Sequence, residues 1–403
     1  MKVALVHRFF WRPGAVPAVV REWAGHLEAG GHEVAVFASD VRPAGPECQM
    51  PNARCQTIPD QTQGESAQER RTPTGSAGRR TYVPVGLGRG RLFDWAGLVF
   101  AARLFAALWR RRRPPPDLIL AVDSTAYFGA WLAGRLLRVP AIMAFQGWIY
   151  SPGKRGVYPT TVAWLYRLSV AFCVRWAPMI GCLSREIYDG LRARGAPAGR
   201  LWFAPNCVDL ALWRTPKEGA HRRAERRALF VGRFSPEKGL RYLLEAAPSV
   251  LARLPNVRFV LVGGDEGEDG EFHAMARRLG IMDRVDFCGV VPREALPMVY
   301  GDADVLAVPS LAEGHPLAPM EALACGTPVV GSDIPGLNET VADGSNGLLV
   351  PPRDPSALAD ALCRLLGDEA LLDRLSRAAR PSVERFAWEP RVRELAELLP
   401  RLR

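Results

Sequence analysis

The densest chemistry in the chain lies in one stretch, Glu313-Gly-His-Pro-Leu-Ala-Pro-Met-Glu321, directly after the apolar run VLAVPS (305–310). Pro316 has the fixed backbone angle that suits a first helical position, so a helix is expected to open there. The first amides of a helix lack partners within it and sit at its positive end, a ready site for phosphate. Glu313 lies just before this helix and Glu321 more than a turn inside it. The two carboxylates cannot pair on one helix face, but they can reach two ends of one extended ligand. Upstream, Phe230-Val-Gly-Arg233-Phe-Ser-Pro-Glu-Lys238-Gly239 runs from a strand through a loop into a helix. Arg233 offers a planar fork and Lys238 a compact charge to phosphate oxygens, the counter-charge that a departing diphosphate needs. An ordinary surface ion pair is the other local reading of these two cations.

These motifs need a scaffold, and the hydrophobic pattern supplies one. Short apolar, β-rich runs at 3–7, 32–39, 117–123, 141–147, 179–184 and 200–206 alternate with helical patterns, and so do runs at 228–232, 257–264, 285–290, 305–310, 328–333 and 346–351. Near-continuous apolar strands between helices indicate parallel sheets covered on both faces. Two sets of six predict two doubly wound, Rossmann-like α/β domains, with a polar linker at 212–227. Residues 41–81 are poor in large apolar side chains and are expected to form a long loop or insertion. A last helix starts near Trp388 with no strand of its own domain to cover, so it is expected to cross back onto the first domain. In such sheets ligands sit beyond the carboxyl ends of the strands, which puts both motifs on a cleft between the domains.

Taken together, the two motifs resemble glycosyltransferase family 4 in order and spacing, with the E-x7-E pair matched by Glu313 and Glu321. Pro205-Asn206-Cys207-Val208-Asp209 resembles the PNGVD that closes the first domain of that family, with Cys for Gly. Gly263-Gly264-Asp265 resembles its glycine turn near the nucleoside, and Phe386-Ala-Trp388 the start of its crossing helix. The resemblance implies a GT-B fold, with an N-terminal acceptor domain over 1–212, a C-terminal nucleotide-sugar domain over 213–385, and helix 386–403 packed back on the first. It implies retaining transfer of a sugar from a nucleotide diphosphate sugar to a saccharide, lipid-linked or small-molecule acceptor. Glu321 would take the ribose hydroxyls, Glu313 the donor sugar, and Arg233 and Lys238 the diphosphate. Gly314, His315, Pro316, Leu317, Gly264 and Gly14 join the donor-binding set, with Gln146 and His7 on the acceptor or sugar side. Three positions depart from the family pattern: Pro316 removes a backbone donor, Pro13-Gly14-Ala15 offers one glycine where two are common, and Gln146 stands where many members carry His. A nucleotide-sugar-binding subunit without catalysis and a GT-B epimerase are the competing readings.

Bulk composition narrows the classes. The 403 residues are enough for two domains. The net charge of +10 comes almost wholly from arginine, the lysines being Lys2, Lys154, Lys217 and Lys238. It suits anionic partners or reflects arginine-rich solvated faces. Eight cysteines form no CxxC pair and several sit in apolar runs, so buried thiols in a reducing, cytoplasmic setting are expected. No secretory signal follows Met1, and the longest apolar stretch, Trp95 to Trp109, is too short to span a bilayer and contains Arg103. The helical pattern from Arg91 to Arg113 ends in Trp109 and four arginines, which fits either an interfacial helix on anionic lipid at the inner face of the membrane or a core-packed helix with a basic end, the latter preferred. Asp302-Ala-Asp304 has the form of a metal-bound sugar-nucleotide site but reads as helix-end packing, so no metal and no cofactor are expected. Gly86-Leu-Gly88-Arg-Gly90 reads as a turn, Ser184 as an N-cap, and no nucleic-acid reading module is present.

Overall fold

The computed structural model describes residues 1–7, 15–38, 80–84, 93–110, 114–148, 150–151, 160–214, 225–264 and 269–402. Gly14, Cys48, Cys55, the glycine turn at 86–90, Arg111 to Arg113, Asp265 and most of the 41–81 insertion lie outside the described residues.

The first sheet holds β1 (Lys2–Val6), β2 (Glu33–Ala38), β3 (Arg80–Pro84), β4 (Leu118–Ala121), β5 (Ala141–Phe145), β6 (Met179–Cys182) and β7 (Leu201–Phe203), in the order β3-β2-β1-β4-β5-β6-β7. The second holds β8 (Arg226–Val231), β9 (Val257–Val262), β10 (Val285–Gly289), β11 (Val305–Val308), β12 (Val329–Ser332) and β13 (Gly347–Val350), in the order β10-β9-β8-β11-β12-β13. Every pairing is parallel. All twelve expected strands are present, but the first sheet has seven, not six. The addition, β3, begins inside the stretch expected to be loop. Its sequence, Arg-Thr-Tyr-Val-Pro, puts a charge and a proline in a five-residue run, a pattern tolerated at a sheet edge, and an edge is where it lies.

Alternation along the strands divides the first domain into two cores. Val3 and Leu5 of β1 and Val34 and Val36 of β2 pack with Val20, Ala24 and Leu27 of α1 (Ala15–Ala29). Ala4, Val6, Ile119 and Ala121 face the other way, onto α2 (Phe93–Arg110), α3 (Tyr127–Leu137), α4 (Thr160–Trp176) and α5 (Arg185–Arg192). Phe100, Leu104 and Leu108 of α2 are fully buried there, so this helix packs into the core as preferred. α2 and α3 cross so closely that a Cβ on Gly129 would stand 2.4 Å from the Ala101 carbonyl oxygen. Ser184 caps α5, its hydroxyl accepting from the Ile187 amide.

In the second domain, α6 (Leu240–Arg253) and α10 (Pro355–Gly367) cover one face of the sheet, with α11 (Glu369–Val383) beside them. α12 (Trp388–Leu402) leaves that domain and lies on the first. Trp388 meets Trp23 of α1 edge-on at 5.1 Å and stacks on His26 at 4.9 Å. The Trp202 indole donates to Glu394 at 2.8 Å, and Arg391 to the Phe203 carbonyl at 3.1 Å. The six described cysteines are free thiols and five are buried. Burial pushes the Cys182 thiol up to about 12 and that of Cys207 to about 11.

Candidate active site

In each sheet the strand order reverses at one place, between β1 and β4 and between β8 and β11. A crevice opens at such a reversal, because the helices after the two strands go to opposite faces. The loops after β8 and β11 are the two that carry the sequence motifs. Gly239 ends the first of these loops at φ 68, a left-handed conformation, and a Cβ there would stand 2.0 Å from the Pro309 carbonyl oxygen. The Leu311 amide also donates to the Glu237 carbonyl at 2.8 Å. Glycine at 239 therefore lets the loops lie against each other, and this brings Lys238 to Glu313.

The Lys238 ammonium donates to both Glu313 carboxylate oxygens, at 2.8 and 3.0 Å, and the Ser310 hydroxyl donates to one of them at 2.7 Å. Glu313 is 8 % exposed, so this carboxylate depends on those partners for its charge to be tolerated. Arg233 is different. Its side chain is 63 % exposed, and the guanidinium pairs with Glu237 at 2.9 Å.

Glu321 sits in α9 (Leu317–Ala324) and is 5 % exposed. It accepts from the Tyr300 hydroxyl at 2.9 Å, at the end of α8 (Leu296–Asp302), and from Arg293 at 3.2 Å. Burial pushes its carboxyl above the usual range, while Arg293 and Tyr300 pull it back. Arg293 also pairs with Glu22 of α1, and the Trp388 indole donates to the other Glu22 oxygen at 3.2 Å. One chain of polar contacts thus runs from the buried carboxylate of the second domain to α1 and α12. Tyr300, Arg293, Glu22 and Ser310 were not singled out from sequence.

Pro316 is the N-cap of α9, with an extended ψ of 141, so the helix opens at Leu317 and not at the proline. The His315 ring does not face the cleft: it is buried, 3.3 Å from the Thr340 hydroxyl and edge-on to Phe386. Burial, with Arg385 and Arg391 adding to it, pushes the imidazole down to about 3, and its Nδ1 has no partner. The His315 backbone lies at the entrance to α9. Its carbonyl is held by the Asn206 amide at 2.7 Å, which ties the Pro205–Asp209 motif to the helix entrance.

Gly314 faces the first domain, where a Cβ would stand 3.1 Å from the Gln146 carbonyl oxygen. Gln146 follows β5 and lines a small recess with Trp23, Ala144, Leu183 and Trp202. His7 follows β1, is buried, and its amide donates to the Phe37 carbonyl at 3.1 Å. Gly264 ends the β9 segment beside Gly263, whose φ of 130 and close approach to the Gly232 carbonyl need a glycine. Beside Glu313 a cavity of about 300 Å³ opens between the domains, lined by Ser151 and Glu186 on one side and by Ile334, Pro335 and Arg353 on the other.

Two family profiles match, one described as glycosyl transferases group 1 over residues 213–382 and one as glycosyl transferase 4-like domain over 14–207. The chain belongs to the GT-B glycosyltransferases related to family 4. D-inositol 3-phosphate glycosyltransferase of Corynebacterium urealyticum is 40 % identical over 175 residues, 42 % of this chain and 41 % of that protein. The chain spans about half the length of the curated relatives it matches. Sucrose-phosphate synthase of Thermosynechococcus elongatus superposes with a TM-score of 0.77 at 23 % identity, over 100 % of this chain and 98 % of that one. Anabaena HepE in complex with UDP-glucose superposes with a TM-score of 0.74 at 20 % identity, over the whole of both chains.

Within this GT-B frame the aspartate pair at 302 and 304 has structural partners. Asp304 is 2 % exposed, accepts from the Arg227 amide at 2.7 Å and from the Arg226 side chain at 3.2 Å, and Asp302 pairs with Arg227. Both carboxylates therefore fasten the end of α8 to β8, as expected from sequence.

Proposed function

We propose that the protein is a retaining, hexosyltransferase-type glycosyltransferase that moves a sugar from a nucleotide diphosphate sugar to an acceptor held by the first domain. Residues 1–212 would supply the acceptor side and 213–385 the donor side. The observation that carries this reading is the meeting of Lys238 and Glu313 at the carboxyl ends of β8 and β11, opposite Gln146. In the reaction the bond between the anomeric carbon and the phosphate oxygen breaks, the acceptor hydroxyl oxygen takes its place on the same face, its proton passes to the departing phosphate oxygen, and the diphosphate leaves. A diphosphate arriving here shares the Lys238 ammonium with Glu313 and meets Arg233 and the amides at the start of α9. Those donors stabilise charge that builds on the leaving group, an electrostatic contribution that needs no covalent step. Glu313, released from part of its pairing, is free to accept from a sugar hydroxyl. Glu321, fixed by Tyr300 and Arg293, keeps lone pairs for the ribose hydroxyls.

The acceptor is a saccharide, a lipid-linked saccharide or a small molecule. The protein works on the cytoplasmic side, in peripheral contact with an anionic membrane. Thermal shift against a panel of nucleoside diphosphates, followed by transfer assays with the sugar nucleotide of the best base, tests this. A ligand at a hundred times its Kd stabilises by roughly 2.7 kcal/mol. No shift with any nucleoside diphosphate would end the reading, and inversion of free donor without transfer would point to an epimerase.

A further inference from the structure

The outer face of the first domain is unlike the rest of the surface. Of the ten exposed large apolar side chains among the described residues, seven sit on α2, α3 and α4. Trp164, Leu168 and Trp176 of α4 are 59, 47 and 50 % exposed, and Phe128 and Leu136 of α3 are each 53 % exposed. On α4, Trp164, Leu168, Phe172 and Trp176 fall at intervals of four, which makes one stripe along the helix, while Val170 and Cys173 face the core. Ring contacts join the stripe to α3: Trp131 lies 5.4 Å from Phe172 and 6.1 Å from Trp176, and Phe128 lies 5.7 Å from Phe172. Apolar side chains scattered singly on a surface are ordinary; a continuous aromatic stripe marks a contact face.

The sequence around these helices is also basic. Between Trp95 and Arg185 lie twelve of the chain's 52 Lys and Arg but only two, Asp117 and Asp123, of its 42 Asp and Glu. This stretch carries the whole surplus of ten, and the rest of the chain is balanced. α3 and α4 contain no acidic residue, and Arg135, Arg138, Arg167 and Arg175 are exposed around the stripe. The Arg175 guanidinium stands 4.2 Å from the centre of the Trp176 ring.

We propose that the outer face of α3 and α4 docks on an anionic lipid bilayer. Tryptophan and leucine enter the headgroup boundary while arginines beside them pair with lipid phosphates, and no helix of the described residues is long and apolar enough to cross a membrane. Pairing with a second copy fits less well, because a two-fold contact would set the same arginine rims against each other. The face also lies close to the cleft. The Tyr166 hydroxyl on α4 donates to the Gly147 carbonyl at 2.5 Å, beside Gln146. A lipid-linked acceptor lying at the bilayer surface therefore has a short path to the cleft, a consequence that rests on the glycosyltransferase reading; the docking does not.

The test sediments the full chain with vesicles of phosphatidylcholine alone or with roughly a third phosphatidylglycerol, at low and high salt. Two variants accompany it, Trp164→Ser with Leu168→Ser and Trp176→Ser, and Arg135→Glu with Arg167→Glu. Nucleoside diphosphate thermal shift reports the integrity of each. The wild type should bind the anionic vesicles about tenfold or more over the neutral ones, and each variant should lose about tenfold or more with its nucleotide shift intact. Three results would overturn the docking: no wild-type binding to anionic vesicles, wild-type binding in both variants, or a dimer in sedimentation velocity that the stripe variant dissolves. If the wild type binds vesicles but no nucleoside diphosphate, the catalytic reading fails and the docking stands.

Discussion

The two walls of the cleft are built on different principles. On the second domain the two carboxylates of the E-x7-E pair already have fixed partners: Glu313 has Lys238 and Ser310, and Glu321 has Tyr300 and Arg293. On the first domain, Gln146 sits among Trp23, Ala144, Leu183 and Trp202, a neutral amide in an apolar frame. The second domain presents preset charge, whereas the recess at Gln146 presents mainly shape, with Ser151 and Glu186 further along the same side. Phosphates and ribose hydroxyls are recognised by charge and hydrogen bonds held in place before binding, which removes reorganisation at the moment of reaction. In the proposed reaction, an acceptor lying against that recess is selected mainly by fit.

The contrast is broken most directly at Lys238. Lys238→Ala should lower kcat/KM about a hundredfold, roughly 2.7 kcal/mol, because it removes the cation and leaves the buried Glu313 carboxylate with one partner. Arg233→Ala, which removes a mostly exposed cation, should cost about tenfold. Equal effects would mean that the preset pairing has no bearing on catalysis.

Ribose recognition sharpens the comparison next. A 2′-deoxy donor should bind about 1–3 kcal/mol more weakly, and Glu321→Ala should erase most of that preference. Arg293→Ala should weaken it too, although Arg293 is placed to hold Glu321 and not the donor. Because burial holds the Glu321 carboxyl above its ordinary pKa, its charge is lost at a higher pH than for an exposed glutamate as acid is added. Nucleotide affinity should therefore begin to fall above the usual carboxylate range of about 4.3. A profile that stays flat down to that pH would show that Glu321 does not bind as a carboxylate.

The seam between the walls has its own test. The His315 imidazole is held down to about 3 when folded, so below about 6.5 the unfolded chain binds a proton that the folded one refuses. Stability should drop by about 1.4 kcal/mol per pH unit from that point downward. His315→Leu should flatten the fall in melting temperature between neutral and mildly acidic pH, and an unchanged slope would contradict the burial argument.

The smallest effect is expected on the apolar wall. Gln146→Ala should cost about 1 kcal/mol in kcat/KM, the size of one neutral hydrogen bond. Gln146→Glu should cost more, by placing negative charge near the diphosphate. Gln146→His should stay active and gain a pH dependence near about 6.5. Identical donor affinity in the Ala and Glu variants would place the side chain away from the donor.

The same contrast explains what could be read from sequence. Glu313, Glu321, Arg233 and Lys238 lie in two short windows, each a strand, a loop and a helix start, so the local pattern put Arg233, Lys238 and Glu313 after strand ends and Glu321 inside the helix. Strand periodicity located twelve strands because each is an apolar run between turn residues. β3 escaped because an edge strand with Arg and Pro lacks that signal. Arg293 and Glu22 escaped for another reason: they are 271 residues apart, and only the crossing of α1 against the second domain makes them neighbours. The His315 ring was legible as part of a motif but not in its direction, which is set by Thr340 and Phe386 from distant segments.

Charges fixed on the second domain are proposed to hold a nucleoside diphosphate. Calorimetric titration of a nucleoside diphosphate and the matching monophosphate into wild type and Lys238→Ala tests it most directly. The wild type should bind the diphosphate about tenfold or more tightly than the monophosphate, and Lys238→Ala should remove most of this difference while keeping monophosphate affinity. The same preference in both proteins would contradict it.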